Sequence, residues 1–499
     1  MQNQSSPSPS PSPSPSPSPP TQHPFCTTIP IPNPKDHKTT LYIIVAASLF
    51  SLLFFLSSSS TSTSASASTS QIRPDPYLFP TSQTSSDPSP PSIAYLISGS
   101  AGDSGRILRL LLATYHPKNQ YLLHLDLTAP QSERDGLAIS VQSIPIFKAA
   151  QNVNVVGKAD FAYPKGSSGI SFTLRGASIL LRLSQNWDWF VTLNAADYPL
   201  VTQDDLLHIL SFLPKSLNFV NHSSYIGWKE SRKLRPIIVD PGLYLMEKTG
   251  MFYATQKREL PNAFRLFTVF HMEGFFLQNG CGATYGEELG QWCLAKYKGD
   301  YGRFLICNAK NDNGSNQIAL AISRPFFTCS SFSVLSRNFI DFCILGTDNL
   351  PRTLLMYFAN TPSSLSNYFP TILCNSHKFN RTVINNNLLY ATFDKSPYDE
   401  PRLLSSNDFE VMIQSGAAFA TRFKSDDPVL DRIDREILGC SPGNVVPGGW
   451  CLGESGNHTC SVWGDSNVLR PSLGARRLEK RIVELLSNGT FRSHQCVVE

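Results

Sequence analysis

Short apolar runs alternate with helix-periodic stretches from Ile93 to Leu193, and that alternation predicts the fold of the larger part of the chain. Ile93–Ser98 (IAYLIS) is an apolar strand, broken by Gly99, Gly102 and Gly105. Asp103 or Ser104 then offers a cap for a helix whose apolar positions Ile107, Leu108, Leu111, Leu112 and Tyr115 follow a 3.6-residue period; Pro117 ends it. Tyr121–Leu125 is the next strand and delivers Asp126 at its carboxyl end. A helix near Ser132–Val141, a strand Val153–Val156, a helix Ile170–Leu183 and a strand Trp189–Leu193 follow. Such alternation predicts an α/β fold with a largely parallel central sheet and helices on both faces. Ligands of these sheets bind beyond the carboxyl ends of the strands. That places Gly99–Gly105, Asp126 and Asn194–Asp197 along one rim.

Upstream the pattern is different. Residues 1–40 carry a Ser-Pro alternation from Ser5 to Pro20 that has nothing to bury and reads as a solvated, extended cytosolic tail. Leu41–Leu56 (LYIIVAASLFSLLFFL) is uncharged and, with its Thr and Ser flanks, approaches the roughly 20 residues a bilayer requires. Forty residues precede it, unlike the short leader of a cleaved signal peptide, so it reads as a transmembrane signal anchor. Lys35 and Lys38 lie on its N-terminal side and no charge follows until Arg73, which keeps the N-terminus cytosolic. A span this short suits a thin early-secretory membrane. Residues 57–92 are Ser/Thr/Pro-rich and read as an extended stem. Residues 93–499 are then lumenal.

Composition narrows the function classes. The 499 residues are 41% hydrophobic, enough for a core, and only 16% charged, with a net charge of +4 that gives no nucleic-acid signature. There is no C-x-x-C and no H-E-x-x-H, so neither a zinc finger nor a zincin is expected. Asn221, Asn313, Asn380, Asn457 and Asn488 each begin an N-x-S/T sequon, in keeping with a lumenal domain. An oxidising lumen would let several of Cys343, Cys374, Cys440, Cys451, Cys460 and Cys496 pair, with connectivity unreadable from the sequence.

Three places on the rim can carry chemistry. The turn Gly99-x-x-Gly102-x-x-Gly105 lacks the dinucleotide fingerprint; it is either a tight strand-to-helix turn or a seat for a nucleotide against backbone N–H groups. Asp126 ends a hydrophobic strand, where a carboxylate accepts from a base or ribose or else caps its own loop. Asp197 closes the run Trp189-Phe-Val-Thr-Leu-Asn-Ala-Ala-Asp197, again after a buried strand, where catalytic folds often place a carboxylate, and is a catalytic candidate.

The motifs IAYLISGSAGD, YLLHLDLTAP, WDWFVTLNAADYPLVTQDDLLH, IGWKESRKLRPIIVDPGLY, DNLPRTLLMYFAN, DDPVLDRIDREILG, VPGGWC and CSVWGD occur in that order from about Ile93 to Leu486. Together they resemble the plant members of the core-2/I-branching glycosyltransferase family, closest to the β-glucuronosyltransferases that act on arabinogalactan. The resemblance implies a GT-A-like fold and inverting transfer from a UDP-sugar. It also implies a donor diphosphate held by basic side chains, and the chain contains no D-x-D pair to hold a metal, so no metal or other cofactor is expected. Arg422 stands near the family's basic position and Arg402 is a second candidate. Gly99, Asp126 and Asp197 would line the donor cleft. Trp228 and Lys229 would lie toward the acceptor, with a packing role for Trp228 as the alternative.

Two departures from the family pattern stand out. An inverting transferase requires a carboxylate to deprotonate the acceptor hydroxyl. Plant relatives show S-S-P-E-G-Y-F-H-T-V-I-C-N, whereas this chain has Ser363-Ser364-Leu365-Ser366-Asn367-Tyr368-Phe369-Pro370-Thr371-Ile372-Leu373-Cys374-Asn375, placing Ser366 where the base belongs. Between Thr268 and Cys329 the frame is broken by an insertion, Val269–Thr328, with no clear helical or strand period; a retained intron, a lineage-specific loop and a cysteine-stapled module are the readings open for it. The expected protein is a single-pass type II Golgi glycosyltransferase, transferring glucuronic acid from UDP-glucuronate to galactan chains of arabinogalactan proteins, in possible company with other Golgi transferases and with no nucleic-acid partner. The alternatives are an N-acetylglucosaminyltransferase of the same family and an inactive relative that binds glycan or a partner transferase.

Overall fold

The computed structural model describes residues 90–163, 166–222, 234–244, 252–261, 264–267, 292–299, 302–310, 316–321, 332–393, 401–455 and 458–487, with positions 489, 491 and 496. The tail, Leu41–Leu56 and nearly all of the stem lie outside these residues. Among the described residues no helix is long and apolar enough to cross a membrane.

The first half alternates as the sequence predicts. It runs β1 (Ile93–Gly99), α1 (Ser104–Ala113), β2 (Gln120–Leu125), α2 (Gln131–Ser143), α3 (Pro145–Ala150), β3 (Val153–Val155), α4 (Ser168–Leu183) and β4 (Trp189–Asn194). Then come β5 (Asp197–Pro199), α5 (Gln203–Ser211), β6 (Asn218–Phe219), β7 (Pro236–Val239) and β8 (Phe252–Lys257). Strands β9 (Trp292–Gly299), β10 (Gly302–Lys310) and β11 (Asn316–Ala321) precede β12 (Val334–Ser336), α6 (Arg337–Ile344), α7 (Asn349–Phe358) and α8 (Leu365–Asn375). The chain continues through β13 (Val383–Ile384), β14 (Leu389–Tyr390), α9 (Phe409–Gln414), β15 (Phe419–Thr421) and α10 (Pro428–Ile433). It closes with β16 (Cys451–Ser455), β17 (His458–Trp463) and α11 (Leu473–Leu486).

The central sheet has seven strands in the order β13-β6-β12-β4-β1-β2-β3. Strand β1 runs parallel to both β2 and β4, and β2 parallel to β3. Strand β12 is antiparallel to both of its neighbours, β4 and β6. The sheet is therefore mixed: its parallel half is the one the apolar alternation announces, and β12 adds a reversed strand of three residues, too short to leave a periodic trace.

Successive residues of β1 serve opposite faces, as the two-residue period of a strand requires. Ile93, Tyr95 and Ile97 join Ile107, Leu110 and Leu111 of α1 on one face, where α5, α9, α10 and α11 also pack. Ala94 and Leu96 join Ile170, Ala177 and Leu180 of α4 and the α6–α8 helices on the other. Gly176 lets α4 lie this close, since a Cβ there would fall 2.7 Å from Leu96 Cδ2.

The C-terminal segment is pinned to the first core by the two aspartates at the start of α5, Asp204 and Asp205. Thr202 and Asp205 form a capping box at the start of that helix. Asp205 also accepts from the backbone N–H and the hydroxyl of Ser472, and Asp204 from the N–H groups of Gly449 and Arg470. Cys374 is bonded to Cys496 and Cys451 to Cys460, while Cys343 and Cys440 are free thiols.

Within Val269–Thr328 the sequence shows no strand period, yet β9, β10 and β11 form an antiparallel three-stranded sheet of their own, separate from the central one. A hairpin ladder needs backbone hydrogen bonds more than side-chain alternation, and alternation is imposed only where one face is buried against a core.

Candidate active site

A cavity of about 270 Å³ opens at the carboxyl ends of β1, β2 and β4. Its floor is Ser98, Gly99 and Ser100 from β1, His124, Asp126 and Thr128 from β2, and Asn194 from β4. Phe161, Ala162 and Tyr163, on the stretch between β3 and α4, form a wall, with the two aromatic rings stacked at 5.9 Å between centroids. The structure thus brings Gly99 and Asp126 together, as the rim argument expects.

Asp126 is 8% exposed. Burial pushes its carboxyl above the ordinary range, against hydrogen bonds from Thr128 that favour the charged form. Its Oδ1 accepts from the N–H and the hydroxyl of Thr128, so the carboxylate is aimed by its own loop. His124 lies two residues earlier on the same face of β2 and is 1% exposed. Its ring packs on Phe172 at 4.2 Å between centroids, and its Nε2 accepts from the Asp160 N–H at 3.3 Å. Burial holds its pKa down to about 4, so it is neutral.

The glycine turn is closed to an anion. The carboxylate of Glu133, on α2, accepts from the N–H groups of Gly102 and Ser104 at 3.0–3.1 Å. These are the donors a phosphate would have used, so the nucleotide-seat reading of Gly99–Gly105 gives way to the tight turn. Gly102 sits at φ +87°, and a Cβ on Gly99 would meet Asp103 Cβ at 2.8 Å. Both glycines are explained by the turn itself.

Asp197 does not share the cavity. It lies beside a much smaller recess, of about 10 Å³, with Arg106, Arg109, Tyr198 and Phe423. Its Oδ2 accepts from the Asn194 N–H at 2.8 Å. Burial raises its pKa to about 6, opposed by hydrogen bonds from Thr421 and Asn194 and by the charge of Arg106. Asp197 therefore fastens the end of β4 to β15, where it is the register partner of Thr421.

The two arginine candidates separate. The guanidinium of Arg402 forms a bidentate pair with Asp408, at 2.5 and 3.1 Å, which holds the Asp408 carboxyl below its ordinary range. Arg422 directly follows Thr421, and its neighbour Phe423 donates its N–H to Ala196 O at 3.0 Å. The backbone on either side of Arg422 is thereby tied to the Asn194–Asp197 segment, although Arg422 lines neither recess, whereas Arg402 is engaged in fixing a loop.

Ser366 lies in the first turn of α8, partly exposed, and lines neither recess. It stands on the cavity's side of the sheet all the same. The start of α8 abuts the start of α4, where a Cβ on Gly169 would touch Leu365 at 3.5 Å. Ser168, the residue before Gly169, accepts on its Oγ from the N–H of Tyr163 in the cavity wall. Asp240 completes this junction by accepting from the N–H groups of Ser167 and Ser168 at 2.7 Å. Trp228 and Lys229 lie outside the described residues. Three cavity residues, His124, Phe161 and Tyr163, escape a reading of the sequence made strand by strand. The only sequence signal for His124 is its place on an otherwise apolar buried strand.

Among the described residues, His222, Cys374 and Cys496 are close enough to share a metal ion, but the two cysteines are bonded to each other.

The profile of the Core-2/I-Branching enzyme family matches residues 93–270 and 298–413, breaking off inside the segment Val269–Thr328. Beta-glucuronosyltransferase GlcAT14A of Arabidopsis thaliana is 43% identical over 416 residues, covering 83% of this chain and 80% of that protein. GlcAT14B of the same plant is 42% identical over 406 residues, covering 81% and 80%. GlcAT14C is 39% identical over 407 residues, covering 81% and 85%. With matches of this extent and a mixed α/β fold whose cavity lies at the carboxyl ends of the strands, the chain belongs to the core-2/I-branching enzyme family of glycosyltransferases.

Proposed function

We propose that the chain transfers glucuronic acid, with inversion, from UDP-glucuronate to galactan chains of arabinogalactan proteins, on a GT-A-type fold. The glucuronosyl part is supported by the names of the three plant relatives. The observation that carries the donor part is the cavity. It offers aromatic faces for a base, the Asp126 carboxylate for a base or ribose, and, among the described residues, no lining cation. A nucleoside fits such a lining. Its diphosphate belongs outside, toward Arg422, where leaving-group charge can be stabilised without a metal. The full chain, given UDP-glucuronate and galactan oligosaccharides, should form a β-linked glucuronide. Use of UDP-N-acetylglucosamine in preference would move the assignment to the other transferase of the family.

One observation favours a second reading, a glycan- or partner-binding relative with little turnover: Ser366 occupies the position of the base. UDP binding without transfer would support it.

Donor binding should survive EDTA. Asp126→Ala and Arg422→Ala should each weaken UDP by about 10- to 100-fold, the effect of losing one hydrogen bond to a charged group. Titration calorimetry reads both, and an obligatory divalent cation would count against the metal-free site.

We place the catalytic domain in the Golgi lumen behind a type II anchor at Leu41–Leu56. Glycosylation mapping checks this. Asn380, in a partly exposed turn, should carry a glycan. Asn221 should be bare, because it is 5% exposed and its Nδ2 donates to Asn387 Oδ1 at 3.2 Å. A glycan on Asn3 would reverse the orientation.

A further inference from the structure

The residue at which the stem meets the folded domain lies beside an exposed apolar surface. Ser92 precedes β1, at the amino end of that strand, whereas the cavity lies at the carboxyl end. The Ser92 hydroxyl donates to the Lys118 carbonyl at 2.6 Å, and the Lys118 ammonium donates to Asn467 Oδ1 at 2.5 Å. Asn467 belongs to the turn Asp465–Val468, which follows the β16–β17 hairpin. Hairpin and turn together expose Leu452, Val462, Trp463 and Val468. The backbone keeps these residues close. The Gly464 N–H donates to Trp450 O at 2.8 Å, a Cβ on Gly464 would meet Leu452 Cδ1 at 3.0 Å, and one on Gly449 would meet the Val468 carbonyl. A clustered apolar surface of this kind marks a binding face. Lys118 and Asp465, close enough to feel each other's charge, put one charge of each sign at its margin.

We propose that this face is the docking site of the chain's own stem, and that the segment Ile72-Arg-Pro-Asp-Pro-Tyr-Leu-Phe-Pro80 lays Tyr77, Leu78 and Phe79 on it. Within residues 57–92 that segment holds all the large apolar side chains; the rest is Ser, Thr, Pro and other small or polar residues. Twelve residues separate Phe79 from Ser92, a reach of about 40 Å when extended, ample for a face that begins one lysine side chain away from Ser92. Three prolines hold the segment extended in advance, so little entropy is lost on docking, and Pro-rich segments are recognised by aromatic surfaces such as that of Trp463. Arg73 and Asp75 supply the charges that complement Asp465 and Lys118. A short tether also gives the segment an effective concentration of about 1 mM or more, so a weak contact suffices. Docked in this way, the stem leaves the domain from the end of the sheet opposite the cavity and turns the cavity away from whatever holds the N-terminus.

Two measurements on the full chain in lipid nanodiscs test this from both sides. Chymotryptic cleavage after Tyr77 or Leu78 reads the stem, and hydroxyl-radical labelling of Trp463 reads the face. Trp463→Ser with Val468→Ser should speed the stem cut by about tenfold or more, the effect of losing an aromatic anchor. Met356→Ser, at an exposed position on α7, should leave the cut as slow as in wild type. Tyr77→Ser with Phe79→Ser alters only the stem, so it cannot unfold the hairpin, and it should raise Trp463 labelling several-fold. This second variant decides the matter even if the first loosens β16 and β17. A stem cut as fast in wild type as in Trp463→Ser with Val468→Ser would overturn the proposal. So would Trp463 labelling that is equal in wild type and in the stem variant. Where Trp463 stays protected in the stem variant, loss of that protection at one chain per disc would give the face to a second copy, and its persistence there would give the face to the bilayer; either result removes the stem as its occupant.

Discussion

Ser366→Glu should raise glucuronosyl turnover by about 10²- to 10⁴-fold, the range typical of a positioned general base. The substitution is chemically large and structurally mild. Helix α8 begins after its N-cap Ser364, so Ser366 is the second residue of the helix. A carboxylate in the first turn faces unsatisfied N–H groups and the positive end of the helix dipole, a placement that stabilises by about 0.3–1 kcal/mol. Ser366 is partly exposed, so the longer side chain has room. A change in kcat then reports chemistry and not folding. The same dipole keeps the new carboxyl ionised at mildly acidic pH, as a base must be. The expected signature is a higher kcat for UDP-glucuronate on galactan, with an acid limb in the pH profile that the serine protein lacks, and unchanged UDP affinity. Equal turnover and equal pH profiles for serine and glutamate would mean that another group deprotonates the acceptor. Fast transfer by the serine protein would remove the inactive-relative reading as well.

The chain discloses some of this architecture and hides the rest for physical reasons. The β1-to-β4 half is legible because β1, β2 and β4 are largely apolar runs buried on both faces and the helices between them show an apolar stripe. Its ends fall within one or two residues of Ile93–Ser98, Tyr121–Leu125 and Trp189–Leu193. The rim follows from topology alone, which is why Asp126 lies in the cavity. The other half of the sheet is illegible: β6 and β13 are two residues long and β12 three, below any periodic window. Contacts that span the sequence are hidden in the same way. Nothing local says that Glu133 closes the glycine turn 29–31 residues upstream, or that the Asp160 N–H fixes the tautomer of His124, 36 residues away. Arg402, the second basic candidate, is a contact of short range: its partner Asp408 is only six residues on. Arg422 differs in that it follows β15, whose last residue is the register partner of Asp197.

Arg109→Met should destabilise the folded domain by about 3–5 kcal/mol, the cost of leaving one member of a buried ion pair alone. Arg109 lies on α1, and its Nη2 donates to Asp434 Oδ2 at 2.6 Å and to Asp431 Oδ1 at 2.7 Å. Asp434 follows α10, 325 residues away, so this one guanidinium ties the first helix of the sheet to the C-terminal helices. The two arms are unequal. The Asp431 side chain is 43% exposed and its bond to Arg109 is worth little in water. The Asp434 side chain is 2% exposed; its other oxygen accepts from the Tyr198 hydroxyl at 2.6 Å, so losing the cation leaves a buried carboxylate. Thermal unfolding should therefore show a large loss for Arg109→Met, a small one for Asp431→Asn, and substantial recovery in the double substitution Arg109→Met with Asp434→Leu, where no charge is left to desolvate. Tyr198 also lines the recess of Asp197, and Phe423 accepts from Arg106 there, so loosening α10 should reach the Arg422 end of the rim. The Arg109→Met protein, assayed below its melting transition, should then bind UDP more weakly. Full recovery of stability without recovery of UDP affinity would place Tyr198 and Asp434 in the donor site and not merely beneath it. No loss of stability on removing Arg109 would show that Asp434 is solvated in the folded chain.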